Sequence, residues 1–217
     1  LGNGDGTFTE EANFGTSPWN DPTLPTSAMR AGDMDNDGDL DLFVVRQDTG
    51  AIDGIPGQPN SLLLNDGAGF FTDASLTNMS SAPSDNSQDA DLADLDLDGD
   101  LDVVVANSHA SVTAPMSADL YVNQGGDQGG TLGFLLEDTT SDLEISTPAD
   151  WIRLRVEAED VDADGDLDIF MSVHDLFTVA DQRLFLNQGG VQAGVLGDFT
   201  RQFSFDPGDY ISYGLAI

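Results

Sequence analysis

The chain of 217 residues carries 40 acidic against 6 basic side chains, a net charge of −34, with 39% hydrophobic residues and no cysteine. Phosphates would repel so acidic a surface, which excludes nucleic acid as a partner and disfavours anionic membranes. Disulfides and thiolate chemistry are excluded as well, while the apolar content is enough for a core in one large all-β domain.

Only six of the acids are glutamates, so 34 are aspartates, and all six bases are arginines. A generic acidic surface would use both acids. Aspartate alone points to short turns and to oxygen cages for hard cations. No segment reaches membrane-spanning length and no signal peptide is visible. Beginning at Leu1, the sequence reads as processed or excerpted.

Taken in chain order, residues 1–20 open with LGNGDGTF, which reads as strands three and four of a preceding unit. Residues 21–80 hold the string DMDNDGDLDLFVV from Asp33 and then LLLNDGAGFF from Leu62. Residues 81–145 hold DLDLDGDLDVVVA from Asp94 and LYVNQGG from Leu120. Residues 146–207 hold DVDADGDLDIFMS from Asp160 and LFLNQGG from Leu184. Residues 208–217 read as the first strand of a following unit. The Asp strings start 61 and 66 residues apart, and Asn3, Asn65, Asn123 and Asn187 are spaced by 62, 58 and 64. Two motifs interleaved at one period define a repeat protein.

Within the second full unit the predicted strands are 88–93, 101–106, 120–123 and 134–138. Each is short, apolar or alternating, and bounded by Asp or Gly turns. Helical signals are weak throughout. Four short strands per unit of about 60 residues predict four-stranded antiparallel propeller blades: three full blades, with partial ones at both ends.

Each Asp string fits D-x-D-x-D-G-x-x-D. Alternate carboxylates converge, glycine permits the reversal, the seventh residue adds its carbonyl, and the ninth closes the cage from the next strand. The predicted ligands are Asp33, Asp35, Asp37, Asp39 (carbonyl) and Asp41; Asp94, Asp96, Asp98, Asp100 (carbonyl) and Asp102; and Asp160, Asp162, Asp164, Asp166 (carbonyl) and Asp168. All are hard oxygens in a flexible loop, which suits Ca²⁺ better than Mg²⁺, with three ions expected. An EF-hand would need Glu at position twelve and flanking helices; Val44, Val105 and Met171 stand there. The other reading, simple Asp-rich turns, does not account for three complete copies at matched positions. The loops, the period and the Asn-Gly turns resemble FG-GAP and VCBS repeats, found in integrin α-subunit propellers and bacterial surface proteins. The resemblance implies that each loop joins strands one and two of a blade. The family's Phe-Gly feature is matched by Tyr213-Gly214, but not by residues 27–32 or 151–159.

No catalytic set is legible: G-x-S-x-G and H-E-x-x-H are absent, and GNGDG at Gly2 precedes no helix. His109 and His174 follow Asp102 and Asp168 by seven and six residues, just beyond strand two. They read as loop histidines bonded to nearby acids, or as a shared ligand site. In IRLRVE, Ile152, Leu154 and Val156 face one way and Arg153 and Arg155 the other, the arginines pairing with local aspartates or binding an anionic ligand. The expected function is a non-catalytic extracellular or cell-surface module, stabilised by structural calcium, for adhesion or for binding protein or carbohydrate. Recognition is expected on loops opposite the metal, at 46–60, 107–118 and 173–182 and at 10–25, 74–87 and 139–150. The alternatives are a structural protein assembling with copies of itself, head to tail through the partial blades, and an accessory domain of a secreted enzyme. Acid is expected to act like a chelator, since the ligands must be deprotonated.

Overall fold

A computed structural model of the protein describes residue 7 and residues 25–47, 59–81, 86–108, 116–139, 143–145, 152–175, 181–189 and 196–201. Three four-stranded antiparallel sheets follow one another along the chain. The first contains β1 (Thr26–Gly32), β2 (Asp41–Arg46), β3 (Ser61–Asn65) and β4 (Phe71–Asp73) in sequence order. A four-residue helix, α1 (Ser75–Asn78), follows it. The second contains β5 (Ser87–Ala93), β6 (Asp102–Asn107), β7 (Met116–Asn123) and β8 (Leu135–Asp138). A two-residue strand, β9 (Glu144–Ile145), extends the β8 side by pairing with the start of β7. The third contains β10 (Ile152–Glu159), β11 (Asp168–Asp175), β12 (Asp181–Asn187) and β13 (Phe199–Arg201).

The predicted strands of the second unit all form, within a few residues of their expected ends. Each Asp string spans the hairpin between the first two strands of its sheet. The last pairs before the loops are Gly32 with Asp41, Ala93 with Asp102 and Glu159 with Asp168. The first strands of sheets one and two each carry a register irregularity, between Thr26 and Ala28 and between Ser87 and Asp89. Among the described residues no helix is long and apolar enough to cross a membrane.

The sheets pack face to face, and the sequence of β6 explains why. Its run Val103, Val104, Val105, Ala106 is fully buried. Val103 and Val105 join Phe43, Val45 and Leu62 of the first sheet in one core, with Tyr121 and Leu135 of their own sheet. Val104 and Ala106 join Leu154, Val156, Ile169, Met171 and Phe185 of the third sheet in another. A strand covered on both faces reads as a continuous apolar run rather than as an alternation. Each large apolar side chain so buried stabilises the fold by about 1.5–3 kcal/mol.

The first strands lie nearest one another, with β5 against β1 on one side and β10 on the other. Asp89, buried in β5, ties all three: Arg30 of β1 donates to its Oδ1 at 2.6 Å, and Arg155 of β10 reaches its Oδ2 at 3.4 Å. The Asp91 carboxylate also accepts the Ala158 N–H at 2.9 Å. Arg155 thus pairs with an aspartate of the neighbouring sheet; the side chain of Arg153 lies outside the described residues. So do residues 1–6, 8–20 and 208–217, and with them the terminal partial blades expected from the sequence.

Candidate metal centres

The three Asp loops have nearly one conformation, and their own hydrogen bonds dictate it. The first aspartate accepts from two backbone N–H groups ahead of it. Asp33 takes those of Asp37 and Gly38, both at 3.0 Å, Asp94 those of Asp98 and Gly99 at 2.9 and 3.0 Å, and Asp160 those of Asp164 and Gly165 at 3.1 Å. The fifth accepts from the seventh: Asp37 from Asp39, Asp98 from Asp100, Asp164 from Asp166. Short carboxylates closing rings onto their own backbone are what aspartate does and glutamate does poorly, which explains the composition. Gly38, Gly99 and Gly165 turn at φ 95°, 97° and 99°, where a side chain is strained. The fourth residues, Asn36, Leu97 and Ala163, are also left-handed, at φ 55°, 58° and 63°.

The ninth residue has a role that sequence reasoning missed. Asp41, Asp102 and Asp168 are buried, and both oxygens of each are engaged by the backbone. Asp102 Oδ2 accepts the Leu95 N–H at 2.9 Å, and Oδ1 the Asn123 N–H at 2.8 Å. Asp41 bridges Met34 and Asn65 in the same way, and Asp168 bridges Val161 and Asn187. This carboxylate therefore sews its loop to the end of strand three. The recurrence of Asn65, Asn123 and Asn187 at the repeat period was the signal for it.

Ligand atoms of Asp33, Asp35 and Asp37 lie within 4.8 Å of one another, as do those of Asp94, Asp96 and Asp102, and of Asp160, Asp162 and Asp168. The seventh side chains point elsewhere, against the glycine turn between strands three and four. A Cβ on Gly67 would collide with Asp39 Oδ2, one on Gly125 with Asp100 Oδ2, and one on Gly189 would fall 2.6 Å from Asp166 Oδ2. That placement leaves only the backbone carbonyl of residue seven for a cation.

The electrostatics are those of cages built for positive charge. Asp35 Oδ1 and Asp96 Oδ1 are buried without a hydrogen-bond partner. Burial, then the charges of neighbouring aspartates, push Asp35 above the usual carboxylate range and Asp96 up to about 6. Burial raises Asp102 to about 7, although two N–H groups oppose the shift, and it raises Asp41 and Asp168 as well. Asp166 rises to about 6 through burial and its contact with Asp164. Convergent, all-oxygen, anionic donors with buried unpaired atoms fit a hard divalent cation.

Fold and site together define an all-β repeat protein with three acidic clusters, one in each Asp loop, able to hold a metal ion. No protein-family model matches the chain, and no curated protein matches it. His109 lies outside the described residues, and His174 falls inside β11, opposite Arg153, rather than beyond the strand, because β11 runs on to Asp175. Most of the loops expected to carry recognition also lie outside the described residues.

Proposed function

We propose that the chain is a segment of a calcium-stabilised β-propeller that serves as a non-catalytic binding module at the cell exterior. The observation that carries the reading is the triplicate cage: three clusters of converging carboxylates at equivalent places in three successive sheets. Up to five oxygen donors per loop, one of them a carbonyl, match the coordination of Ca²⁺ better than the strict octahedron of Mg²⁺. The side-by-side first strands β1, β5 and β10 support a radial, blade-like arrangement, in which the first strand of each blade lies innermost. Extracellular modules of this kind bind calcium with dissociation constants of roughly 10⁻⁴ to 10⁻³ M, which favours an exterior location. The metal is structural in this reading, and the ligand is a protein or a carbohydrate. Titration calorimetry of metal-free protein tests the metal assignment: about three calcium ions should bind in this range, with magnesium much weaker. No calcium binding at millimolar concentration would end the reading. A glycan and protein array then tests the adhesive role.

Assembly with copies of itself is the second reading, and one observation favours it. Leu40 is 60% exposed and Met29 49% exposed on the outer side of sheet one, whereas their counterparts Leu101 and Leu167, and Ala90 and Val156, are packed against the cores between sheets. Light scattering across a concentration series in calcium separates this from a monomeric module.

A further inference from the structure

A side-chain hydrogen bond joins loops one and two directly, and among the described residues no matching hydrogen bond joins loops two and three. Asn36 is the fourth residue of loop one, held left-handed between the cage residues Asp35 and Asp37. Its Nδ2 donates to Asp100 Oδ1 of loop two at 2.6 Å. Asp100 is the seventh residue of that loop, buried, and its N–H is bonded to Asp98. Its backbone carbonyl is the one this loop would offer a cation. In the next interface the residue corresponding to Asn36 is Leu97, an apolar side chain with no amide to give. The residue corresponding to Asp100 is Asp166, which is buried and lies against Asp164 of its own loop. The first interface thus has a loop-to-loop bond that Leu97 cannot supply to Asp166 in the second. The asparagine bond between sheets does recur: Asn123 donates to the Met34 carbonyl at 2.8 Å, and Asn187 to the Leu95 carbonyl at 2.9 Å.

We propose that Asn36 couples the first two metal sites, so that loops one and two fill cooperatively while loop three fills without that link. The inference rests on the calcium reading above. Without a cation, several converging carboxylates in each loop repel one another. A cation in loop one fixes Asp35 and Asp37, and therefore Asn36 between them. A fixed Asn36 holds the Asp100 side chain, which sets the direction of the Asp100 carbonyl. The ordering of one loop is then partly done when the other binds, and linkage requires the effect to be mutual. A hydrogen bond to a carboxylate that forms best when both loops are ordered is worth about tenfold in affinity, or 1.4 kcal/mol. Asn36 is a positioning residue for a site in which it is not a ligand.

The test uses calcium alone as probe and calorimetry of the whole chain, with loop three disabled by Asp162→Ala. Two sites then remain, and a Hill coefficient above 1 is expected. Adding Asn36→Leu should return it to 1 and weaken loop two about tenfold, although every predicted ligand of loop two is intact. Asn36→Leu should lower the melting temperature more in calcium than in chelator, whereas a merely structural role would lower both equally. In the complementary protein, with loop one disabled by Asp35→Ala, loops two and three should bind independently, and Leu97→Asn should couple them by supplying Asp166 with an amide. Independent sites in the first protein, or unchanged binding in Asn36→Leu, would overturn the coupling while leaving the calcium reading intact. Failure of the unaltered chain to bind calcium at all would overturn both.

Discussion

Asn187, at the end of β12, donates its side-chain amide to the carbonyl of Leu95, in the Asp loop of the preceding sheet, at 2.9 Å. The same amide reaches the Leu167 carbonyl at 3.1 Å, and Oδ1 accepts the Gly197 N–H at 2.8 Å. One fully buried asparagine therefore joins its own metal loop, its own hairpin and the loop of its neighbour. Asn123 does the same one sheet earlier, with Met34, Leu101 and Gly133. Asn65 keeps the contact with its own loop, to the Leu40 carbonyl at 3.1 Å, but makes no bond to a preceding sheet among the described residues, and it is only partly buried.

That contrast sets the cost of removing each one. Asn187→Ala and Asn123→Ala leave buried carbonyls and N–H groups unsatisfied and should each destabilise the protein by about 2–3 kcal/mol. Asn65→Ala should cost about 1 kcal/mol, because water can replace part of what it loses. Denaturant unfolding of the three variants checks the order, and equal losses would show that the inter-sheet bonds contribute nothing.

Calcium should stabilise the folded chain in proportion to the number of filled cages. At ten times the dissociation constant each site adds roughly 1.4 kcal/mol, and three sites add about 4. Asp37→Ala, Asp98→Ala and Asp164→Ala should each remove about one third of the difference between melting in calcium and melting in chelator. Identical melting curves in the two conditions would refute a stabilising metal.

The repeat, the strand boundaries and the loops were legible because each has a local cause. A run such as Val103 to Ala106 has one comfortable state between two sheets, and D-x-D-x-D-G closes rings on its own backbone wherever it occurs. What stayed hidden is contact between repeats. Nothing in the spacing says that Asn36 meets Asp100, or that Asp89 stands between Arg30 and Arg155. The short α1 and β9 were also missed. Each is only one turn or two residues long, and tertiary packing rather than pattern fixes them, as with the parallel bridge between Met79 and Leu135.

Gly133 tests whether a hairpin of one sheet shapes the cage of another. It is left-handed at φ 74°, and a Cβ there would fall 2.8 Å from Asp35 Cβ, across the interface in loop one. Gly133→Ala should therefore cost stability through backbone strain, about 1 kcal/mol or more. It should also push Asp35 out of its cluster, weakening calcium binding at loop one more than at loop three. Calorimetry of the variant with loop two disabled by Asp96→Ala resolves the two sites. Equal affinities would show that the hairpin does not set the position of Asp35.

The pH dependence of stability should change sign with calcium. Asp102 is raised from 3.8 to about 7, chiefly by burial, and Asp96 and Asp166 to about 6. A carboxyl whose folded value exceeds its unfolded one holds its proton longer in the folded state. Its contribution is fully present below about 4 and is lost as pH rises toward 7. In chelator, the melting temperature should therefore fall between pH 5 and pH 8. With calcium the ionised form is the one that binds, so proton and cation compete for the same oxygens. Apparent affinity should weaken roughly tenfold per pH unit below about 7 for each proton displaced, and the melting temperature should rise between pH 5 and pH 8. Acid thus removes calcium as a chelator does, but it leaves behind neutral cages that repel less than the empty ionised ones. Protein at pH 5 should consequently melt above chelated protein at pH 8. Parallel pH profiles with and without calcium would show that these buried aspartates are not where the cation binds.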